Sequence, residues 1–199
     1  NNFKKIVMKF GGTSMADIDC VYKVADHIER ELSNGKLVAV VVSAMAGETD
    51  RLIGLADQVG NIELQSERDV IISSGEQVSS AILSMTLNKR NIPARSIQGW
   101  QIPLITNSMH GSARISDIKS SHLEKLMEKG IVPIIAGFQG ISEENRVTTL
   151  GRGGSDTTAV AIACSIDADL CDIYTDVDGV YTSDPRIIPD AQKLKLVSF

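Results

Sequence analysis

Residues 8–14, MKFGGTS, put a lysine beside two glycines and two hydroxyl side chains at the end of a β-like run, Phe3 to Phe10. Glycine lets the main chain come close to a ligand, and the unpaired N–H groups at a helix start attract anions. Lys9, Gly11 and Gly12, with Thr13 and Ser14 able to cap a following helix, are therefore candidates for holding a phosphate. A tight strand-to-helix turn beside a solvated lysine is the structural alternative. Residues 151–156, GRGGSD, repeat the theme. Three glycines and Ser155 can offer several N–H groups to an anion, and Arg152 offers a planar fork suited to a carboxylate. Asp156 falls where a first-turn carboxylate favours the helix dipole, which would explain it without any ligand. Neither loop matches a dinucleotide fingerprint or a Walker A sequence.

Two further segments carry carboxylates. SSGE, residues 73–76, predicts Glu76 at the start of a helix, where the dipole alone would favour it. TDVDGVYTSDPR, residues 175–186, combines acidic residues around a glycine with an Asp-Pro turn former, and lacks the ligand spacing of an EF-hand. His27, His110 and His122 share no metal-ligand pattern, and none of Ser43, Ser73 and Ser155 sits in a GxSxG context. Trp100 and the few other aromatics form no stacking array for bases.

These segments need elements to hold them. A helix is expected over Asp17–Ser33, from the spacing of Ile18, Val21, Val24, Ala25, Ile28 and Leu32. Others are expected over Arg51–Gln58, Glu76–Lys89, Asp117–Lys129 with Ser116 as N-cap, and Thr157–Ser165. Strands are expected at 3–10, 37–44, 131–138 and 168–176, with short β-like pieces ARSIQ and PLITN between Ile92 and His110. Asn61–Asp69 is ambiguous, and 140–150 reads as a hairpin or a mobile loop. The alternation predicts an α/β fold, a mainly parallel sheet with helices on both faces, in which ligands collect at the carboxyl ends of the strands.

The 199 residues, 43% hydrophobic and 23% charged, fit one large domain spanning 1–199. A formal charge of −5 with no cluster of Lys or Arg argues against a nucleic-acid partner. No run reaches the roughly 18 apolar residues of a membrane span, and the first ten residues do not resemble a signal peptide, so a cytoplasmic chain is expected. Cys20, Cys164 and Cys171 suggest neither a disulfide framework nor a zinc site, and are expected to be reduced and half-buried.

Taken together, the segments closely resemble the catalytic domain of the aspartate kinases, within the amino acid kinase family. The resemblance runs through KFGGTS, VVSAMAGETDRL, SSGEQVSSAIL, HGSARI, GIVPIIAGFQG, TTLGRGGSDTTAVAIA and IYTDVDGVYTSDPR, the last two being the most specific. It implies a three-layer fold and transfer of the ATP γ-phosphoryl group to the side-chain carboxylate of L-aspartate. The product is 4-phospho-L-aspartate, on the route to lysine, threonine and methionine. By the same resemblance Lys9 holds the transferring phosphate, Asp156 organises it, and Gly11, Gly12, Thr13 and Ser14 belong to the phosphate site. Ser43, Thr49, Glu76, Phe138, Arg152 and Ser155 form the aspartate pocket, Glu76 meeting the ammonium and Arg152 a carboxylate. Thr175, Asp176, Tyr181 and Arg186 line the nucleotide side. Mg²⁺ is expected on the ATP phosphates, with no protein metal cage. The chain ends at LKLVSF, where family members continue through further kinase elements, including a second nucleotide-contacting lysine, and usually ACT domains. We therefore expect a fold incomplete at that end and a homo-oligomer, with a noncatalytic ligand-binding remnant as the alternative.

Overall fold

The computed structural model describes residues 4–60 and 65–175. Five strands form a parallel sheet: β1 (Lys5–Phe10), β2 (Leu37–Val42), β3 (Ala94–Ile97), β6 (Val132–Ala136) and β9 (Leu170–Tyr174), in the spatial order β3-β6-β2-β1-β9. β1 and β2 are nearly continuous apolar runs because both faces are covered. Ile6, Met8 and Phe10 pack with Val21, Val24 and Ile28 of α1 (Ile18–Ser33) and with Leu83 and Leu87 of α3 (Gln65–Lys89). On the other face Val7, Ala39 and Val41 pack with Leu123 and Leu126 of α4 (Ser121–Glu128) and with Ala159 and Ile162 of α5 (Gly154–Ser165). Each large aliphatic side chain fully buried here stabilises the fold by roughly 1.5–3 kcal/mol. The three layers are thus helix, sheet, helix. Alternation along β1 puts Lys9 on the face of Val7, toward α5.

Local chemistry fixes the ends. Asp17, not Thr13 or Ser14, caps α1, its carboxylate accepting the Cys20 N–H at 2.8 Å. Thr13–Met15 instead form one 3₁₀ turn. Ser116 does not start a helix. It lies within β5 (Ile115–Ile118), which pairs antiparallel with β4 (Leu104–Thr106), and the N-cap of α4 is Ser120. The Ser120 hydroxyl donates to the Ser165 carbonyl instead of capping. A second sheet, unforeseen from the sequence, has the order β5-β4-β7-β8; in it β7 (Gln139–Ser142) and β8 (Val147–Thr149) make the hairpin within 140–150. Cys164 is exposed, whereas Cys20 and Cys171 are half-buried, all three being free. No helix among the described residues is long and apolar enough to cross a membrane.

The largest departure from the sequence reading is α3. It runs 25 residues, straight through SSGE, so that Glu76 sits in mid-helix. Neither Gly75 nor the serines break it. Ser73, Ser74, Ser79 and Ser80 return their hydroxyls to carbonyls three residues earlier, which satisfies them within the helix. Gly75 is there for space: a Cβ would lie 2.8 Å from the Ala44 Cβ and 3.4 Å from Leu52. Gly75→Ala should accordingly destabilise the protein despite a helix-propensity gain of about 1 kcal/mol, because overpacking costs about 1–3 kcal/mol and Ala44 has no rotamer to yield. The measurement is the urea midpoint, and a rise would contradict it.

Candidate active site

At the carboxyl ends of β1, β2 and β6 lies a cleft of about 330 Å³. Its floor is Lys9, 8% exposed, whose ammonium is 2.7 Å from an Asp156 carboxylate oxygen. This ion pair anchors the ammonium at the cleft. A Cβ at Gly11 would lie 3.4 Å from the Lys9 Nζ, so the glycine gives the ammonium room. The Gly11 N–H is given to the Tyr174 carbonyl at 3.3 Å.

Two helices open onto this cleft. Gly47 and Gly153 precede α2 (Glu48–Val59) and α5, with φ of 76° and 71° respectively, a left-handed conformation that glycine adopts without penalty. Each helix leaves its first N–H groups without intrahelical partners and directs the positive end of its dipole toward the lysine. Gly137, after β6, lets α5 come close: a Cβ there would lie 2.8 Å from the Ser155 Oγ. Phe138, a cleft wall, is held at φ 69°. The Thr158 hydroxyl accepts its N–H, its carbonyl accepts the Leu150 N–H, and Gly154 leaves space beneath the ring. A bulky residue in that region stores strain, which surrounding contacts must impose.

The same cleft is lined by Glu76, 3% exposed. One carboxylate oxygen accepts the Ala44 N–H at 3.2 Å, and the other, buried, has no partner. Burial pushes the carboxyl up to about 7. This is opposite to the dipole stabilisation expected from a helix start. Such a group seeks a cation.

The structure brings Lys9, Gly12, Ser43, Thr49, Glu76, Phe138, Ser155 and Asp156 to one cleft. Thr13 and Ser14 fall elsewhere, lining a pocket of about 260 Å³ with Phe10, His27 and Tyr174 on the α1 side. The Arg152 side chain is exposed, although Gly151 and Gly153 beside it line the cleft. Thr175, exposed, follows β9, while Asp176, Tyr181 and Arg186 lie outside the described residues. Sequence reasoning missed Gly47 and Gly137, and also Asp69, whose contacts appear below. Glycine at the strand ends was the available signal for the first two. Among the described residues no group of three or more His, Cys, Asp or Glu could hold a metal ion.

The model of the amino acid kinase family matches residues 4–199. Aspartokinase of Rickettsia conorii is 49% identical over 197 residues, covering 98% of this chain and 49% of that protein. Aspartokinase of Pseudomonas aeruginosa is 50% identical over 194 residues, covering 98% and 47%. The chain thus spans about half the length of these curated relatives. Among solved structures, Synechocystis aspartate kinase superposes with a TM-score of 0.78 at 45% identity, covering 94% of this chain and 31% of that one. Escherichia coli aspartokinase III in complex with aspartate and ADP superposes with a TM-score of 0.84 at 27% identity, covering 96% and 53%.

Proposed function

The chain belongs to the amino acid kinase family, and on that premise we propose that its cleft transfers the γ-phosphoryl group of ATP to the side-chain carboxylate of L-aspartate. The observation that carries this reading is the polarity of the cleft. An unpaired buried carboxylate, Glu76, faces a lysine and two helix N-termini across one small volume. An amino acid matches that arrangement, its ammonium toward Glu76 and its carboxylates toward the positive side. The aspartate and ADP held by E. coli aspartokinase III, on the same fold, support the choice of ligands.

The chemistry needs no general base. A substrate carboxylate is already ionised near neutral pH. One of its oxygens attacks the γ-phosphorus, the bond from that phosphorus to the β–γ bridging oxygen breaks, and ADP leaves with the electron pair. The protein's tasks are in-line positioning and neutralisation of charge on the phosphoryl oxygens. Lys9 supplies a cation at the site of transfer, and Asp156 keeps its ammonium in place. The N–H groups opening α5 add partial positive charge, as do those after Gly12. Mg²⁺, brought on the nucleotide phosphates, would supply further neutralisation. Arg152 and Ser155 would receive the aspartate α-carboxylate, with Ser43 and Thr49 along its side, and Thr175, Asp176, Tyr181 and Arg186 would serve the nucleotide.

The test is ADP release with L-aspartate, run beside hydroxylamine capture of the acyl phosphate as a hydroxamate. Aspartate-dependent ADP with matching hydroxamate is expected. ADP without hydroxamate would exclude a carboxylate acceptor, and binding of both ligands without turnover would make the chain a ligand-binding member of the family.

A further inference from the structure

Outside the cleft the most highly connected side chain is Asp69, two helical turns before Glu76 on the same side of α3 and 1% exposed. Its carboxylate accepts the Thr149 hydroxyl at 2.6 Å and the Thr149 N–H at 3.1 Å. It also accepts the Gly111 N–H at 3.0 Å and meets His110 Nδ1 at 2.7 Å. A carboxylate only accepts, so His110 carries its proton on Nδ1. All these partners are donors, and they come from two parts of the chain, 110–111 and 149, both distant in sequence from Asp69.

What they hold is the approach to the cleft. Thr149 lies two residues before Gly151, and Ala113 donates its N–H to the Thr149 carbonyl at 2.8 Å. A Cβ on Gly151 would lie 3.3 Å from the Gly111 carbonyl oxygen, so the 110–113 loop packs directly on the glycine loop that opens α5. We propose that Asp69 is a positioning residue for the cleft. It fixes the glycine loop to α3 and so sets the separation between Glu76 and the α5 N-terminus. With the amino acid's ammonium at Glu76 and its carboxylates at the α5 end of the same cleft, that separation governs which acidic amino acid fits, so Asp69 acts on the choice. The choice of ligand rests on the function proposed above, but the brace itself does not.

Asp69→Asn is the isosteric test in the full 199-residue chain, because its NH₂ must face donors. Hydrogen exchange without ligand should become about tenfold faster at the amides of residues 151–156, with β1 and β2 unchanged. The L-aspartate Kd should rise about tenfold while the ADP Kd stays within twofold, and discrimination against L-glutamate should shrink. Thr149→Ser, which keeps both donors, should restore wild-type values, and Thr149→Val should fall between; this pair decides the matter if Asp69→Asn does not fold. Unchanged exchange at 151–156, or equal acceleration through β1 and β2, would overturn the brace. A wild-type chain that binds no aspartate would defeat the proposed function, and exchange alone would then decide the role of Asp69.

Discussion

Lys9→Ala lowers kcat by about two to three orders of magnitude, the loss seen when a single preorganised charge donor is taken from a transition state. The fold survives. The partner left behind, Asp156, has a side chain 48% exposed, and its buried oxygen that faced Lys9 gains water through the space the ammonium leaves in the cleft. Nucleotide affinity should change much less, because the role proposed for the lysine is where charge builds during transfer. Lys9→Arg does not rescue, since a planar guanidinium cannot place its charge where the compact ammonium sits, 2.7 Å from the Asp156 carboxylate. The readout is aspartate-dependent ADP release alongside circular dichroism of each variant. Wild-type turnover in a folded Lys9→Ala chain would remove Lys9 from the mechanism.

The second large effect belongs to Glu76. Glu76→Gln keeps the shape and the acceptor for the Ala44 N–H but removes the charge, so the L-aspartate Kd rises about a hundredfold while the ADP Kd stays nearly constant. Its pH dependence has a definite sign. Burial holds the folded carboxyl near 7, against an ordinary 4.5. Between about pH 4.5 and 7 the folded chain therefore keeps a proton that the unfolded chain has lost. Stability is fully present below pH 4.5 and declines as pH rises through 7, by about 3 kcal/mol in all. Urea midpoints across this window should fall for the wild type more than for Glu76→Gln. Aspartate binding runs the other way, since the ammonium needs the ionised carboxylate, and affinity drops as pH falls below 7. Parallel slopes in the two proteins, or equal weakening of aspartate and ADP, would make Glu76 a structural residue only.

The legible parts of this molecule were those where one segment carries its own instructions. β1, β2 and β6 are apolar runs ended by small residues, and the glycines of 151–154 with Asp156 announce a helix start wherever they occur. Glu76 was misplaced because Ser73, Ser74 and Gly75 have breaker propensities that hydroxyl-to-carbonyl bonds and the Ala44 contact override. Ser116 looked like a cap because nothing local says that its neighbours pair with β4. Of the second sheet, PLITN read as β-like and 140–150 as a hairpin or loop, but their joining into one sheet was not legible, the strands being three or four residues long and united by partners rather than by pattern. Asp69 was missed most completely, since its partners at 110, 111 and 149 are distant in the chain.

The order of the parallel sheet also dictates when the Lys9 end of β1 is finished. β1 meets β2 after a short excursion, with Lys9 beside Val41, but its other edge waits for β9, with Lys9 beside Ile173. Closing roughly 30 residues costs about 3 kcal/mol of chain entropy, and closing roughly 160 about 4–5 kcal/mol. The Gly11 N–H bond to the Tyr174 carbonyl belongs to that longer closure. During synthesis the lysine loop leaves the ribosome roughly 160 residues ahead of β9 and gains the Tyr174 carbonyl as a partner only when residue 174 has followed. A nascent chain short of that point carries the lysine loop without this neighbour, so a motif made early is completed late.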